Sequence, residues 1–355
     1  MVAKAVGVSA MTVSRALRGE GRVSAATVAR VKSEAERLGY RPNPLVQTLM
    51  AGIRDKRVVL QAGIAWIEAH EAGARPEVLS EVEHGARRRA ESLGFSLELV
   101  RVRPGEGDAA SWRRIFRARG IRAGVVAPLP RQLSTLDMPW DDFAFAAVGR
   151  SLMRPALSYV MAHHHHGMER VLAELSARGF RRVGLLMSED MDRRVEHAAL
   201  MAFTFAGRKG SGMRTVHGFY DGWSRSAFRR WVDTARLEVV LGGYPAVEKF
   251  LRDGGVKVPE EVAFATLSWR ANFAWQAGVR QRMEDLGAAA VDLVVAQLHR
   301  NERGVPPVAK AVLIEGEWME GETLPWRARL PRGGTSPGSR GPRSARDGDE
   351  GRRAT

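Results

Sequence analysis

The chain has 355 residues, 45% of them apolar and 27% charged, which is ordinary globular material with room for roughly two or three domains. A formal net charge of +15 points to a polyanionic partner, nucleic acid before an acidic membrane surface. The chain holds no cysteine, which excludes disulfides, thiol catalysis and cysteine-ligated zinc. No apolar run approaches the roughly 18–20 residues that span a bilayer, and no secretory signal precedes the first helices, so a cytoplasmic location is expected.

The first stretch with chemical character is Gly7-Val8-Ser9-Ala10-Met11-Thr12-Val13-Ser14-Arg15-Ala16-Leu17. Ser9 is a good N-cap, because its hydroxyl can accept the otherwise orphaned N–H of Thr12. Gly7 breaks the preceding short helix, as a tight helix–turn–helix bend often requires. Val13, Ala16 and Leu17 fall on one helical face and predict the buried side. Met11, Thr12, Ser14, Arg15 and Arg18 point elsewhere, and a short helix with small polar groups and cations on its open face suits a DNA major groove. A surface helix with solvated charges is the plainer alternative for this stretch alone. A third helix opens at Val23-Ser24, with Val28, Val31, Ala35 and Leu38 on one face, and stops at Gly39. Residues 1–57 carry eleven Lys/Arg against four Asp/Glu, so the excess of positive charge is concentrated here.

Taken together, VA-K-A-VGVS-x-x-TVSRAL-x-G, then RVS-x-x-T-x-x-RV, then LGYRPNPL over residues 2–49 closely resembles the DNA-binding headpiece of LacI/GalR-type bacterial transcription regulators. The resemblance implies a helix-turn-helix headpiece over 1–42 whose Ser9, Ala10, Met11, Thr12, Ser14, Arg15 and Arg18 contact DNA. It also implies a hinge helix and linker over 43–57. Asn43 caps that helix and Pro44 starts it, where the missing N–H costs nothing. The segment makes only about two turns, too short to be stable alone in water. By resemblance it orders on operator DNA, with Asn43 and Val46 in contact and Leu49 wedged into the minor groove.

From residue 58 the pattern becomes α/β. Val58 to Ile67 is a near-continuous apolar run, as in a strand buried on both faces. Helix is expected over 78–93, strand over 96–100, helix over 112–118, strand over 123–129 and strand over 143–148. Helix then follows over 163–178, strand over 182–187, one helix over 191–205, strand over 238–241, helix over 246–253, strand over 262–267 and helix over 287–300. Strands alternating with helices predict parallel doubly wound sheets. The fold class is therefore a small all-α headpiece plus a periplasmic-binding-protein-like core, 58–330, of two such subdomains. The order of elements resembles the same regulator family as far as about Leu324, with Ala277-Gly278-Val279-x-Gln281 and Glu315-Gly316-x-Trp318 among its late signatures. The segment 331–355 is Gly, Ser, Pro and Arg with almost nothing to bury, and is expected to be a disordered basic tail.

Sites of chemistry are sparse. His163-His164-His165-His166 starts a helix, and two imidazoles sharing a face do not complete a zinc site, so no metal is expected. Gly207, Gly210 and Gly212 lack the preceding strand of a dinucleotide fingerprint, and no cofactor is expected. Glu189, Asp190 and Asp192 follow a strand, where they are either acid/base groups or a solvated loop. Family regulators hold a small molecule between their subdomains, and by resemblance Arg194 matches the arginine that clamps it, with Arg193 the register alternative. His163 stands where that family usually has an acid, as does Ser268-Trp269. Trp66, Trp269 and Pro128 either wall the cleft or pack in the core. The expectation is a DNA-binding transcriptional regulator, usually a repressor in this family and not an enzyme, acting on a palindromic double-stranded operator as a homodimer or tetramer. A small-molecule effector of unknown identity controls it in one reading. In the alternative, the core is a dimerisation scaffold with no effector.

Overall fold

A computed structural model describes residues 2–18, 23–38, 62–69, 76–103, 107–130, 133–243 and 246–327. The expected hinge helix, with Asn43, Val46 and Leu49, and the basic tail lie outside the described residues.

Three short helices open the chain: α1 (Val2–Val6), α2 (Ala10–Arg18) and α3 (Ala25–Arg37). Their apolar stripes meet in a small core of Val2, Val6, Val13, Ala16, Val31 and Ala35, with Leu17, Val28 and Leu38 packed around it. Ser24 caps α3 by accepting the N–H of Thr27 at 3.3 Å. Arg30 Nη2 donates to the carbonyl of Val6 at 2.9 Å and fastens α3 to the end of α1.

The rest is two open sheets. In the first, β13 (Ala311–Ile314), β7 (Ser158–Ala162), β5 (Ala144–Val148), β3 (Ile121–Val126), β1 (Gly63–Glu68) and β2 (Ser96–Arg101) lie side by side, all parallel. The period of two along β1 divides its core cleanly. Ile64 and Trp66 pack under helices α4 (Glu77–Ser92) and α11 (Met283–His299), while Ala65 and Ile67 face α5 (Ala109–Ala118) and its buried Phe116. Helices α4 and α11 approach so closely that a Cβ at Gly85 would run into the carbonyl of Glu284, and one at Gly287 into that of Val82. A small ribbon of β4 (Leu133–Thr135) and β6 (Leu152–Arg154) flanks this sheet.

The second sheet runs β14 (Glu317–Met319), β12 (Ala277–Arg280), β11 (Ala263–Thr266), β10 (Val239–Gly242), β8 (Arg182–Met187) and β9 (Arg214–Phe219), parallel except for the pairing of β14 with β12. One face is covered by α6 (His164–Ala177) and α8 (Ala198–Ala206), the other by α9 (Arg225–Ala235) and α10 (Ala246–Asp253). The chain passes between the halves at 162–164, 280–283 and 314–317, at the carboxyl ends of β7, β12 and β13. Loops at those strand ends therefore face one another across a cleft, the position where α/β sheets bind ligands.

One expected element is corrected. The helix read over 191–205 is two helices, α7 (Glu189–Arg194) and α8, broken by Glu196 and His197, whose φ values of 55° and 59° are left-handed. Strands β7 and β9 and helix α9 add to the elements read from periodicity. No helix among the described residues is long and apolar enough to cross a membrane.

Candidate functional site

The headpiece presents α2 by a local device. Gly7, at φ 73°, turns the chain out of α1, and the Ser9 hydroxyl then accepts the N–H of Thr12 at 3.1 Å and shares a hydrogen bond with Thr12 Oγ1 at 2.9 Å. Val13 and Ala16 are buried, which fixes the helix's rotation about its own axis. Ala10, Met11, Thr12, Ser14, Arg15 and Arg18 all lie on this one helix, and Arg15 is half-buried. No acid stands in the first turn of α1, α2 or α3 to offset a phosphate.

In the core, the cleft-facing residues are gathered but mutually engaged. Arg194, on α7, donates from Nη2 to the carbonyl of Leu129 at 2.9 Å, reaching from the second half to the first. The N–H of that same Leu129 donates to Ser151 Oγ at 2.9 Å. Arg193 is exposed and pairs with Glu189 at 3.4 Å. Trp66 is fully buried and donates its indole N–H to Glu68 Oε1 at 2.8 Å, so its ring lies in the core beneath α4 and α11. Pro128 is half-buried in the loop after β3. Ser268 and Trp269 follow β11, where the backbone N–H groups donate to Thr266 Oγ1 at 3.1 Å and to the carbonyl of Val279 at 2.9 Å. The Trp269 indole N–H is buried without a hydrogen-bond partner.

His163 is the N-cap of α6, its Nδ1 accepting the N–H of His166 at 3.1 Å, so this imidazole does the work usually given to a carboxylate or hydroxyl. A shallow pocket beside it is lined by His163, His164, Leu267, Gln281 and Gly316. Gln281 donates from Nε2 to the carbonyl of Leu267 at 2.6 Å and closes one wall. Among the described residues no group of three or more His, Asp or Glu is placed to hold a metal ion. Burial, with the His163 ring adding to it, lowers the pKa of His164 from 6.5 to about 4. The unfolded side chain takes up a proton near pH 6.5 and the folded one only near 4. Stability from this group is thus complete above pH 6.5 and lost as pH falls toward 4, by about 2–3 kcal/mol. Urea titrations at pH 7 and pH 4.5 should show that loss, and His164→Leu should reduce it.

Contacts between the halves involve residues that local spacing does not single out. Arg150 Nε donates to Glu196 Oε1 at 3.0 Å, and the Tyr159 hydroxyl donates to Glu196 Oε2 at 3.3 Å. On another side of the cleft, Arg270 lies 3.7 Å from Glu81, whose pKa burial raises against the pull of that arginine. The partners stand far apart in sequence, so no motif marks them.

The family model described as "Bacterial regulatory proteins, lacI family" matches residues 2–43, the span of the three-helix unit. The chain is 27% identical over 213 residues to the HTH-type transcriptional regulator PtxS of Pseudomonas plecoglossicida, covering 59% of each chain. It is 28% identical over 195 residues to the HTH-type transcriptional regulator RafR of Escherichia coli, covering 52% of this chain and 53% of that one. It is 30% identical over 206 residues to the regulator AscG of Escherichia coli (strain K12), covering 56% and 57%. The match thus spans little more than half the length of these relatives. Among solved structures, the regulator CelR in complex with cellobiose superposes with a TM-score of 0.54 at 22% identity, over 91% of this chain and 98% of that one. The Lac repressor dimer bound to operator and the anti-inducer ONPF does so with a TM-score of 0.54 at 17% identity, over 91% and 97%. These likenesses show the fold of the core, and over residues 2–43 the chain matches the lacI family of bacterial regulatory proteins.

Proposed function

We propose that this chain is a cytoplasmic transcription regulator that binds a near-palindromic DNA operator as a homodimer, and acts as a repressor. The observation that carries the reading is α2: capped by Ser9, turned by Gly7, locked in rotation by Val13 and Ala16, and lying within the stretch that matches the family. A helix held this way presents its first turns to base edges in a major groove, and two copies related by a dimer axis read two half-sites. Ser9, Thr12 and Arg18 would contact phosphates, which fix register, and Arg15 with Met11 and Ala10 would reach bases. Ser14 completes the contact face. Asn43, Val46 and Leu49 would add the hinge contacts, Leu49 wedging between central base pairs and bending the duplex. The reading gives the chain a binding role and no reaction.

Arginine to guanine is the commonest direct contact, worth about 1–3 kcal/mol of discrimination. Arg15→Ala should therefore weaken operator binding by about tenfold to a hundredfold and relax preference at one base pair per half-site. Competition binding against single-base variants of the operator checks this. Unchanged base preference would move Arg15 out of the readout.

An effector in the cleft would meet Arg194, His163, Ser268 and Trp269, with Pro128 at the edge and Trp66 behind in the core. The Trp269 indole N–H, buried without a hydrogen-bond partner, would be a donor for it. A second reading, a core that only dimerises, is favoured by one observation: Arg194 is already spent on Leu129. A thermal-shift screen with sugars, nucleosides and organic acids separates the two. A ligand that stabilises the wild-type chain but not Arg194→Ala supports the effector reading.

A further inference from the structure

The end of α7 breaks a local rule. The N–H of Glu196 donates to the carbonyl of Arg193 at 3.0 Å and that of His197 to Asp192 at 2.9 Å, the paired bonds of a Schellman cap. The left-handed position of such a cap normally holds glycine, and Gly94, Gly120, Gly179 and Gly255 close four other helices of this chain with φ between 67° and 84°. Here it holds Glu196 at φ 55°, followed by His197 at 59°, although a side chain in this region costs conformational energy that glycine does not. His197 Nδ1 lies 2.6 Å from Oδ2 of Asp192, whose side chain is buried, and this contact holds the turn. A side chain kept where glycine is easier, here as at Arg236 and Asn301, which close two further helices at φ 50° and 54°, is a candidate for work elsewhere.

The work is visible across the cleft. Both carboxylate oxygens of Glu196 are used by the first half, one by Arg150 and one by Tyr159. The Arg150 guanidinium lies 4.9 Å over the Tyr159 ring, so the three side chains brace one another. Two residues before Glu196, Arg194 reaches the same half through the Leu129 carbonyl. Leu129 and Arg150 follow the carboxyl ends of β3 and β5, Tyr159 near the start of β7 is level with Ala147 of β5, and Glu196 follows α7, the helix after β8.

We propose that Glu196, delivered by its left-handed turn, is an intramolecular latch that holds the two halves of the core together across the cleft. The latch occupies polar groups that a ligand would otherwise have to satisfy. It is a device of the core itself, and it bears on regulation only through the reading of this core as the controlling part of a DNA-binding chain. Its strength suits a switch. Arg150 and Glu196 are partly exposed, and such a pair is weak alone, so the latch biases a closed state by a small factor rather than locking it. A ligand that bound Arg194 or Arg150 in their place would release it with a modest difference in affinity between the states.

The absence of cysteine makes the test direct. Nitroxide labels are placed on the full chain as Arg101→Cys, at the carboxyl end of the edge strand β2, and Ser226→Cys, in the exposed first turn of α9, the helix that follows the edge strand β9. Labelled chain is diluted in unlabelled chain so that only distances within one protomer are read by pulsed electron resonance, with no DNA or ligand present. The otherwise wild-type pair should give one narrow short distance. Glu196→Gln and Glu196→Gly should each move a part of the population to longer separations, shifting the closed-to-open ratio by about fivefold. Glu196→Gly should melt no lower than wild type, because it relieves the left-handed backbone. If both variants keep the wild-type distances, Glu196 merely ends a helix and the latch is wrong. Because no DNA is present, a chain that failed to bind an operator could still show the shift. A chain that bound one without the shift would overturn the latch alone.

Discussion

Arg178→Ala is expected to destabilise the second half of the core by about 3 kcal/mol, among the largest single-residue effects in the chain. The side chain of Arg178 is fully buried. It sits at the end of α6, bonded to Glu174 in the same helix and by Nη2 to both oxygens of Glu320 at 2.7 Å. The Trp326 and Trp318 rings lie 4.5 and 5.4 Å from its guanidinium. Burial raises the Glu320 carboxyl, but the hydrogen bonds from Arg178 and Trp318 outweigh it and hold the group below its ordinary range. Truncation would leave two carboxylates without their main partner and two indoles without a face to stack on. Arg178→Met keeps part of the packing and should lose less. Urea denaturation followed by tryptophan fluorescence reads both. Equal stability of wild type and Arg178→Ala would mean the 317–327 segment is not fastened through this residue.

The second large effect lies between α4 and α11. Gly287→Ala should cost about 3 kcal/mol, because the new methyl group meets the Val82 carbonyl and the backbone around Ala86, neither of which can rotate away. The two helices would have to separate, loosening contacts that include Val82, Ala86, Ala290 and Val294. The ion pairs Arg88–Glu284 at 3.0 Å and Arg89–Asp292 at 2.7 Å flank the crossing but are exposed and cannot offset that loss. Gly167→Ala is the matched control. Its Cβ would meet only Val279 Cγ1 at 3.7 Å, an ordinary contact, so a glycine-to-alanine change inside a helix should there be neutral or stabilising by up to about 1 kcal/mol. Thermal melts of the two variants side by side separate close approach from helix propensity.

Much of this architecture is legible in residue order, and the reasons for the remainder are physical. The headpiece reads well because capping and periodicity are local: Ser9 and Ser24 cap as their chemistry implies, and Val13, Ala16, Val31 and Ala35 are buried as their spacing implies. Buried central strands such as β1, β3 and β8 announce themselves as apolar runs. Strand β9 does not, since as an edge strand it leaves Arg214 and His217 exposed and mixes them with Thr and Gly. The break between α7 and α8 is invisible for a different reason. Neither Gly nor Pro stands between 191 and 205, and the apolar pattern of Ala199, Ala202 and Phe203 continues as though the helix did too. Only tertiary contacts across the cleft, to Arg150 and Tyr159, account for a glutamate in that turn. Resemblance offers Arg194 as a cleft candidate, whereas its engagement with the Leu129 carbonyl depends on a partner 65 residues away.

Sequence readout by α2 is the central proposal for this chain. Selection of the full chain against a pool of random duplexes, at a fixed salt concentration, tests it most directly. The expected result is enrichment of an inverted repeat whose two half-sites are read alike, with Arg15→Ala losing preference at one symmetric pair of positions. Binding that enriches no sequence, or a motif unchanged by Arg15→Ala and Met11→Ala together, would contradict it.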